Sequence, residues 1–269
     1  MKLENVNNAA ANRRNFLKGA GFTGLGLAGA AMIGSKLGAN LQDVHAATKI
    51  DDADILNFAL NLEYLEAEFY AKSTYGATLV ELGVISSEDE TGPTTGGAKV
   101  PNFASSTMAT TATALRKNEI DHVLFLRKAL GSAAVKKPAI DLNALGYGFS
   151  SVASWLKLAR QFEDVGVSAY LGAAPLISSK AYLGAAGAIL SVEAFHAGAI
   201  RLGCIFTGVT SPAVDSLDVP PTPETPYAVN SEALAISRTT SQVLNIVYGG
   251  GNSSGGFYPD GMNGVIVSQ

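Results

Sequence analysis

Two tetrapeptides stand out for the chemistry they can do: Glu119-Ile120-Asp121-His122 and Glu193-Ala194-Phe195-His196. Each is a Glu-x-x-His. On an α-helix, residues three apart lie on one face, so each motif can bring a carboxylate and an imidazole to a single point. Oxygen and imidazole donors in that pairing suit a divalent transition metal such as Fe or Mn. One such motif is weak evidence, but the chain has only three histidines, His45, His122 and His196, and the two motifs use two of them.

Further carboxylates recur at matching positions. Glu63 precedes Tyr70 by seven residues in EYLEAEFY, and Glu163 precedes Tyr170 by seven in EDVGVSAY, so the two segments align as an internal repeat. Seven residues are close to two helical turns, which puts each Glu on the face of its Tyr, with Ala59 and Leu56 or with Ala159. A carboxylate in that company points inward. Glu66, one turn from Glu63, is the competing acid, as a ligand or behind one; the repeat favours Glu63, and Glu68 points elsewhere. Asp164 competes with Glu163, whose Tyr register favours it. Tyr70 and Tyr170 either pack, or hydrogen-bond to the acids or serve them as redox neighbours. Asp121 faces solvent or supports a histidine from behind. Trp155 and Cys204 read as core residues, since a lone cysteine two turns after His196 has no ligand spacing.

Four helices must position these groups. Residues 52–72 follow the capping acids Asp51 and Asp52 and contain no Gly or Pro, which predicts the first helix. Residues 76–104, with Gly92-Pro93, Gly96, Gly97 and Pro101, form an excursion. A second helix is expected from about Ser106 to Leu130, stopped by Gly131. A third is expected from about Ser150 to Ala173, before Pro175, and a fourth from about Ser179 to Phe206. Residues 211–229 hold five of the ten prolines and read as an extended segment over the surface. A further amphipathic helix is expected over 231–248, followed by a Gly-rich tail. As a phosphate cradle that tail lacks the preceding strand and the following Lys, so it reads as loop.

Composition bounds the function classes. The chain has 269 residues, 47% hydrophobic and 16% charged, which fits a compact globular protein and excludes a disordered or coiled-coil one. Its single cysteine excludes an intrachain disulfide. The first 46 residues read as an address: Arg13-Arg14 in a basic region, an uncharged Gly-, Ala- and Leu-rich stretch from Gly19 to Ser35, and small residues at a cleavage site near Ala46. This resembles a twin-arginine export signal, and the stretch is too short and Gly-diluted for a stable membrane span. No later segment reads as a transmembrane candidate. Cleavage removes five of the 19 basic and two of the 23 acidic residues, leaving 14 against 21, a net charge of −7. That balance argues against nucleic acid as a partner.

One Glu from each of helices one and three, with a Glu-x-x-His from each of helices two and four, resembles the ligand set of ferritin-like di-iron and di-manganese carboxylate proteins. Four ionised carboxylates would also balance two divalent cations, whereas without them they repel and are costly to bury. The segment ILNFALNLEYLEAEFY and the late GGFYPDGMNG resemble the exported, desiccation-related branch of the ferritin-like superfamily. The resemblance implies an all-α fold: a four-helix bundle over residues 47–210, with a Pro- and Gly-rich extension over 211–269 carrying one further helix. It implies two Fe or Mn ions held by Glu63, Glu119, His122, Glu163, Glu193 and His196. Glu119 and Glu193 would bridge the ions, and each histidine would cap one.

The long first connection and the extension depart from cage-forming ferritins and argue against mineral storage. Two function classes fit. One is redox chemistry on dioxygen or peroxide (ferroxidase, peroxidase or catalase-like) in oxidative or desiccation stress, in the periplasm or outside the cell. The other is a non-catalytic metal-binding or protective protein that uses the bundle as a scaffold. Expected partners are metal ions and small oxidants, with no membrane span after cleavage, and weakly charged helices make a homodimer an expectation.

Overall fold

The computed structural model describes residues 50–269; the export signal expected over 1–46 lies outside them. Four long helices form the body: α1 (Asp52–Tyr75), α2 (Ala109–Leu130), α3 (Val152–Ala173) and α4 (Lys180–Thr207). α1 packs chiefly on α2, and α3 chiefly on α4. The expected four-helix bundle is present, with its ends set by local chemistry. At the start of α1 the Asp51 and Asp54 side chains each accept the other's backbone N–H at 3.0 Å, and Gly76 ends the helix in the left-handed region at φ 82°. Ser151 and Ser179 cap α3 and α4. α2 begins three residues later than expected, because Ser106 to Met108 form a turn after a short 3₁₀ segment at Phe103–Ser105.

α1 is buried on nearly every side, from Ile55 to Ala71. This follows from a run of Leu, Phe, Tyr and Ala with almost no polar stripe. Phe69, Tyr70, Phe103, Phe162 and Trp155 form an aromatic knot at one end of the bundle, and the Trp155 indole N–H donates to Ser73 Oγ at 3.1 Å. Trp155 and Cys204 are both fully buried, as expected.

The connections are ordered. The α1–α2 excursion contributes strand β1 (Thr94–Thr95) and the α2–α3 connection contributes β2 (Ile140–Asp141), which pair in parallel with Thr94 opposite Ile140. Lys137 fastens the two connections: its buried ammonium donates to Gly92 O, Thr94 Oγ1 and Pro138 O at 3.0–3.1 Å and pairs with Glu90 at 3.2 Å. Glu68 lies 4.0 Å from it, well away from the bundle centre, as its helical register requires.

The Pro-rich segment runs over the surface as expected, and buried arginines hold it there. Arg160 on α3 donates to Ser211 Oγ and to Asp218, and Arg201 on α4 donates to the carbonyls of Thr225 and Pro226 and to Asp164. The expected helix over 231–248 is shortened to α5 (Thr240–Val247). Residues 231–239 are drawn into other contacts: the Asn230 side chain accepts the N–H groups of Glu232 and Leu234, and Arg238 is pulled onto Asp215 and Ser168. Thr239 then caps what remains. The Arg238 carbonyl lies against Gly172 of α3, where a Cβ would approach within 1.8 Å, so only glycine permits this crossing. The Gly-rich tail is loop, but it is tied down: Asn61 exchanges hydrogen bonds with the Asn263 backbone, and the Tyr258 hydroxyl donates to Asn61 O at 2.7 Å.

The sequence did not single out α4 as a membrane candidate, yet it is long and apolar enough to cross one, alone in this among the described residues. Its Glu193 and His196 are buried in the bundle instead, and its buried Arg201 is covered by the Pro-rich segment. Burial raises the Glu68 carboxyl to about 7, against the pull of Lys137. A raised folded-state value means that Glu68 contributes stability below about pH 4.5, lost as pH rises through 7. Relative to Glu68→Gln, the wild type should therefore lose about 2–3 kcal/mol between about pH 4.5 and pH 8 in urea unfolding; parallel pH profiles would contradict this placement.

Candidate metal centre

The four helices bring all six sequence-selected residues to one buried point. On α2 the buried stripe runs Ala112, Leu115, Glu119, His122, Val123, Leu126, and on α4 it runs Ala186, Ile189, Glu193, His196, Ile200, Cys204. Both Glu-x-x-His motifs thus occupy core positions at helical spacing, where leucines would otherwise stand. Glu63 and Glu163 enter from α1 and α3. The four carboxylates are at most 1% exposed, His122 is 8% exposed and His196 is 4% exposed.

The donors fall into two overlapping groups. Glu63, Glu119, His122 and Glu193 offer atoms within 4.8 Å of one another, and so do Glu119, Glu163, Glu193 and His196. Glu119 and Glu193 belong to both. His122 Nδ1 lies 3.2 Å from Glu63 Oε2, Glu119 Oε2 and Glu193 Oε1 alike. His196 Nδ1 lies 2.7 Å from Glu119 Oε1 and 3.5 Å from Glu163 Oε2. The two imidazole centroids are 6.2 Å apart.

His122 Nδ1 is within hydrogen-bond geometry of Glu63 Oε2 and Glu119 Oε2, but the remaining approaches leave several groups unsatisfied. Glu119 Oε1, Glu163 Oε2, both Glu193 oxygens and His196 Nδ1 have no hydrogen-bond partner among the described residues, although all are fully buried. Orphaned polar atoms at this depth are expensive, and here they converge. A donor set of carboxylate oxygens and imidazole nitrogens, with no thiolate, fits hard or borderline divalent cations.

Surrounding groups hold the donors in place. The Tyr70 hydroxyl on α1 donates to Glu163 Oε1 on α3, and the Tyr170 hydroxyl on α3 donates to Glu63 Oε1 on α1 at 2.5 Å. The two tyrosines therefore hydrogen-bond to the acids, each serving the opposite helix rather than its own. His196 Nε2 meets Asn118 Oδ1 at 3.1 Å, which directs Nδ1 toward the carboxylates. Asn118 takes the supporting place considered for Asp121, which instead faces solvent and pairs with Lys117. Glu66 is buried but stands outside both donor groups. Gly166 makes room between it and the cluster: a Cβ there would lie 2.9 Å from Glu193 Oε2 and 3.0 Å from Glu66 Oε1.

Electrostatics show what the cluster needs. Burial pushes Glu193 well above the usual carboxylate range, with Glu119 and Glu63 adding repulsion. Burial also raises Glu163, and it raises Glu63 to about 7 against the pull of His122. Glu119 goes the other way: burial is outweighed by the pull of both facing histidines, and it falls to about 2. Burial disfavours both imidazoliums, yet the facing carboxylates win, holding His122 above its ordinary value and His196 at about 11. Without cations, protons supply the positive charge. Bound cations require neutral imidazoles and ionised carboxylates, so binding must expel protons and weaken as pH falls. Calorimetric Mn²⁺ titrations in buffers of different ionisation enthalpy should show more than one proton released at neutral pH; binding without proton release would contradict this balance.

The model for the ferritin-like domain matches residues 51–203, more than half of the chain and the stretch that carries every donor described above. No curated protein matches the chain. The fold and the family match agree on the assignment: this chain belongs to the ferritin-like domain family.

Proposed function

We propose that the protein is an exported ferritin-like metalloprotein whose paired Fe or Mn site carries out redox chemistry on dioxygen or peroxide, in protection against oxidative or desiccation stress. The observation that carries this reading is the sharing of Glu119 and Glu193 between two donor groups, three of the pair's four oxygens having no hydrogen-bond partner among the described residues. A single-ion site would not need two carboxylates common to two histidine-bearing groups.

In this reading Glu63 and His122 would hold one ion and Glu163 and His196 the other, with Glu119 and Glu193 available to both. Bound Fe or Mn would supply two-electron exchange with dioxygen or peroxide, which no side chain here can supply alone. The chain's own part is geometry and exclusion of water. Tyr70 and Tyr170 fix the orientation of Glu163 and Glu63, and Asn118 fixes His196. The aromatic and aliphatic core closes the centre from bulk solvent, which strengthens every electrostatic contact inside it. The Arg13-Arg14 signal accounts for export to the periplasm or beyond, and this route suits a protein that folds around its metal first.

The test uses protein recovered from the exported fraction, whose N-terminus should lie near Ala47. Loaded with Fe²⁺ or Mn²⁺, it should consume dioxygen or hydrogen peroxide. Glu119→Ala combined with His122→Ala should cut turnover at least a hundredfold with the circular dichroism spectrum unchanged. Equal turnover in the variant, or none in metal-loaded wild type, would contradict the redox reading; the latter would favour a scaffold role.

A further inference from the structure

A cavity of about 380 Å³ lies beside the centre, between α1 and α3 and beneath the C-terminal extension. This is within the range of small-molecule sites, roughly 300–1,000 Å³. Leu65, Phe162 and Val165 line it from the bundle, and Val214, Ile246 and Phe257 line it from the extension. Among the described residues, no Lys, Arg or His lines it. Two of its polar side chains are already satisfied: the Tyr147 hydroxyl donates to Gln161 Oε1 at 2.7 Å, and Gln161 Nε2 donates to Pro212 O at 2.9 Å. A third, Asn245, accepts from Gln269 at 3.3 Å.

Glu66 differs from these. It is 96% buried by its 4% exposure, it lines the cavity, and it makes no hydrogen bond to any described residue; only burial and neighbouring carboxylates act on it. It stands where the cavity meets the metal centre. Gly166 is part of the same wall, and its missing Cβ leaves open the space between Glu66 Oε1 and Glu193 Oε2.

We infer that this cavity binds an uncharged, apolar organic molecule with one terminal hydroxyl, whose hydroxyl is held by Glu66 beside Glu193. The apolar walls take the hydrocarbon part. Among the described residues, Glu66 is the one lining side chain that lacks a hydrogen-bond donor, and a hydroxyl supplies one. Anions are disfavoured, because the described lining residues include the acid Glu66 and no Lys, Arg or His. The inference rests on the proposed metal reading only for its role, since it identifies an organic ligand as the molecule presented to the centre. The binding itself needs no metal.

The experiment is calorimetric titration of the full mature protein with 1-hexanol and with hexanoate, before and after metal removal by a chelator. 1-Hexanol should bind one per chain in both states, and hexanoate at least tenfold more weakly. Ala213→Trp, at the exposed rim, should weaken 1-hexanol at least tenfold while leaving metal content and the thermal melt unchanged. Glu66→Gln should narrow the gap between the two ligands. Hexanoate binding as well as 1-hexanol, unchanged binding in Ala213→Trp, or no 1-hexanol binding at all would overturn the inference. A protein that holds no metal yet binds 1-hexanol as described would fail the metal reading alone.

Discussion

Concentrated negative charge at the centre of an apolar bundle is the constraint on which the rest of this structure depends. Glu63, Glu119, Glu163 and Glu193 meet there with Glu66 behind them, all buried. Moving such charges out of water costs several kcal/mol each unless opposite charge and directed bonds repay it. Two histidines cannot repay it fully, as the orphaned oxygens of Glu119, Glu163 and Glu193 show. A fold that tolerates this arrangement must gain elsewhere. The almost wholly buried α1 and the aromatic knot around Trp155 are where apolar burial is most concentrated.

The same physics recurs at the edge of the bundle, with a different solution. Asp164 sits between Arg160 and Arg201, and both arginines reach outward to hold the Pro-rich segment through Asp218, Ser211 and the carbonyls of Thr225 and Pro226. Those buried charges are repaid by protein partners, so the extension is stitched to α3 and α4 by ionic and hydrogen bonds as much as by apolar contact. The stitched extension roofs the cavity that Glu66 and Gly166 floor. Its fixed course over the bundle is therefore part of what shapes access to the centre.

Much of this was legible in the residues. The four helices and their ends follow from capping acids and serines, Gly stops and helix-forming runs, and the pairing of Glu-x-x-His motifs drew attention to the right face of α2 and α4. What spacing along one helix does not carry is contact between helices. The Glu63–Tyr70 and Glu163–Tyr170 register is real, but each tyrosine serves the other helix's acid, which only the packing of α1 on α3 determines. Asn118 carries no signal in sequence, because only the packing of α2 against α4 brings it to His196. Gly166 was missed because a glycine inside a helix signals close approach without saying of what. Residues 231–239 have the composition of a helix, and Arg238 removes them from it by an ion pair distant in sequence, with Asp215. Local propensity has no access to that partner.

The central claim is that these six side chains hold two metal ions. It is tested most directly by diffraction from crystals of the exported protein, recorded on either side of the Fe and Mn absorption edges. The account predicts two anomalous peaks in each molecule, one beside Glu63 and His122 and one beside Glu163 and His196, with Glu119 and Glu193 reaching both. A folded protein grown with both metals supplied that shows no peak among these residues, or a single one elsewhere, would contradict it.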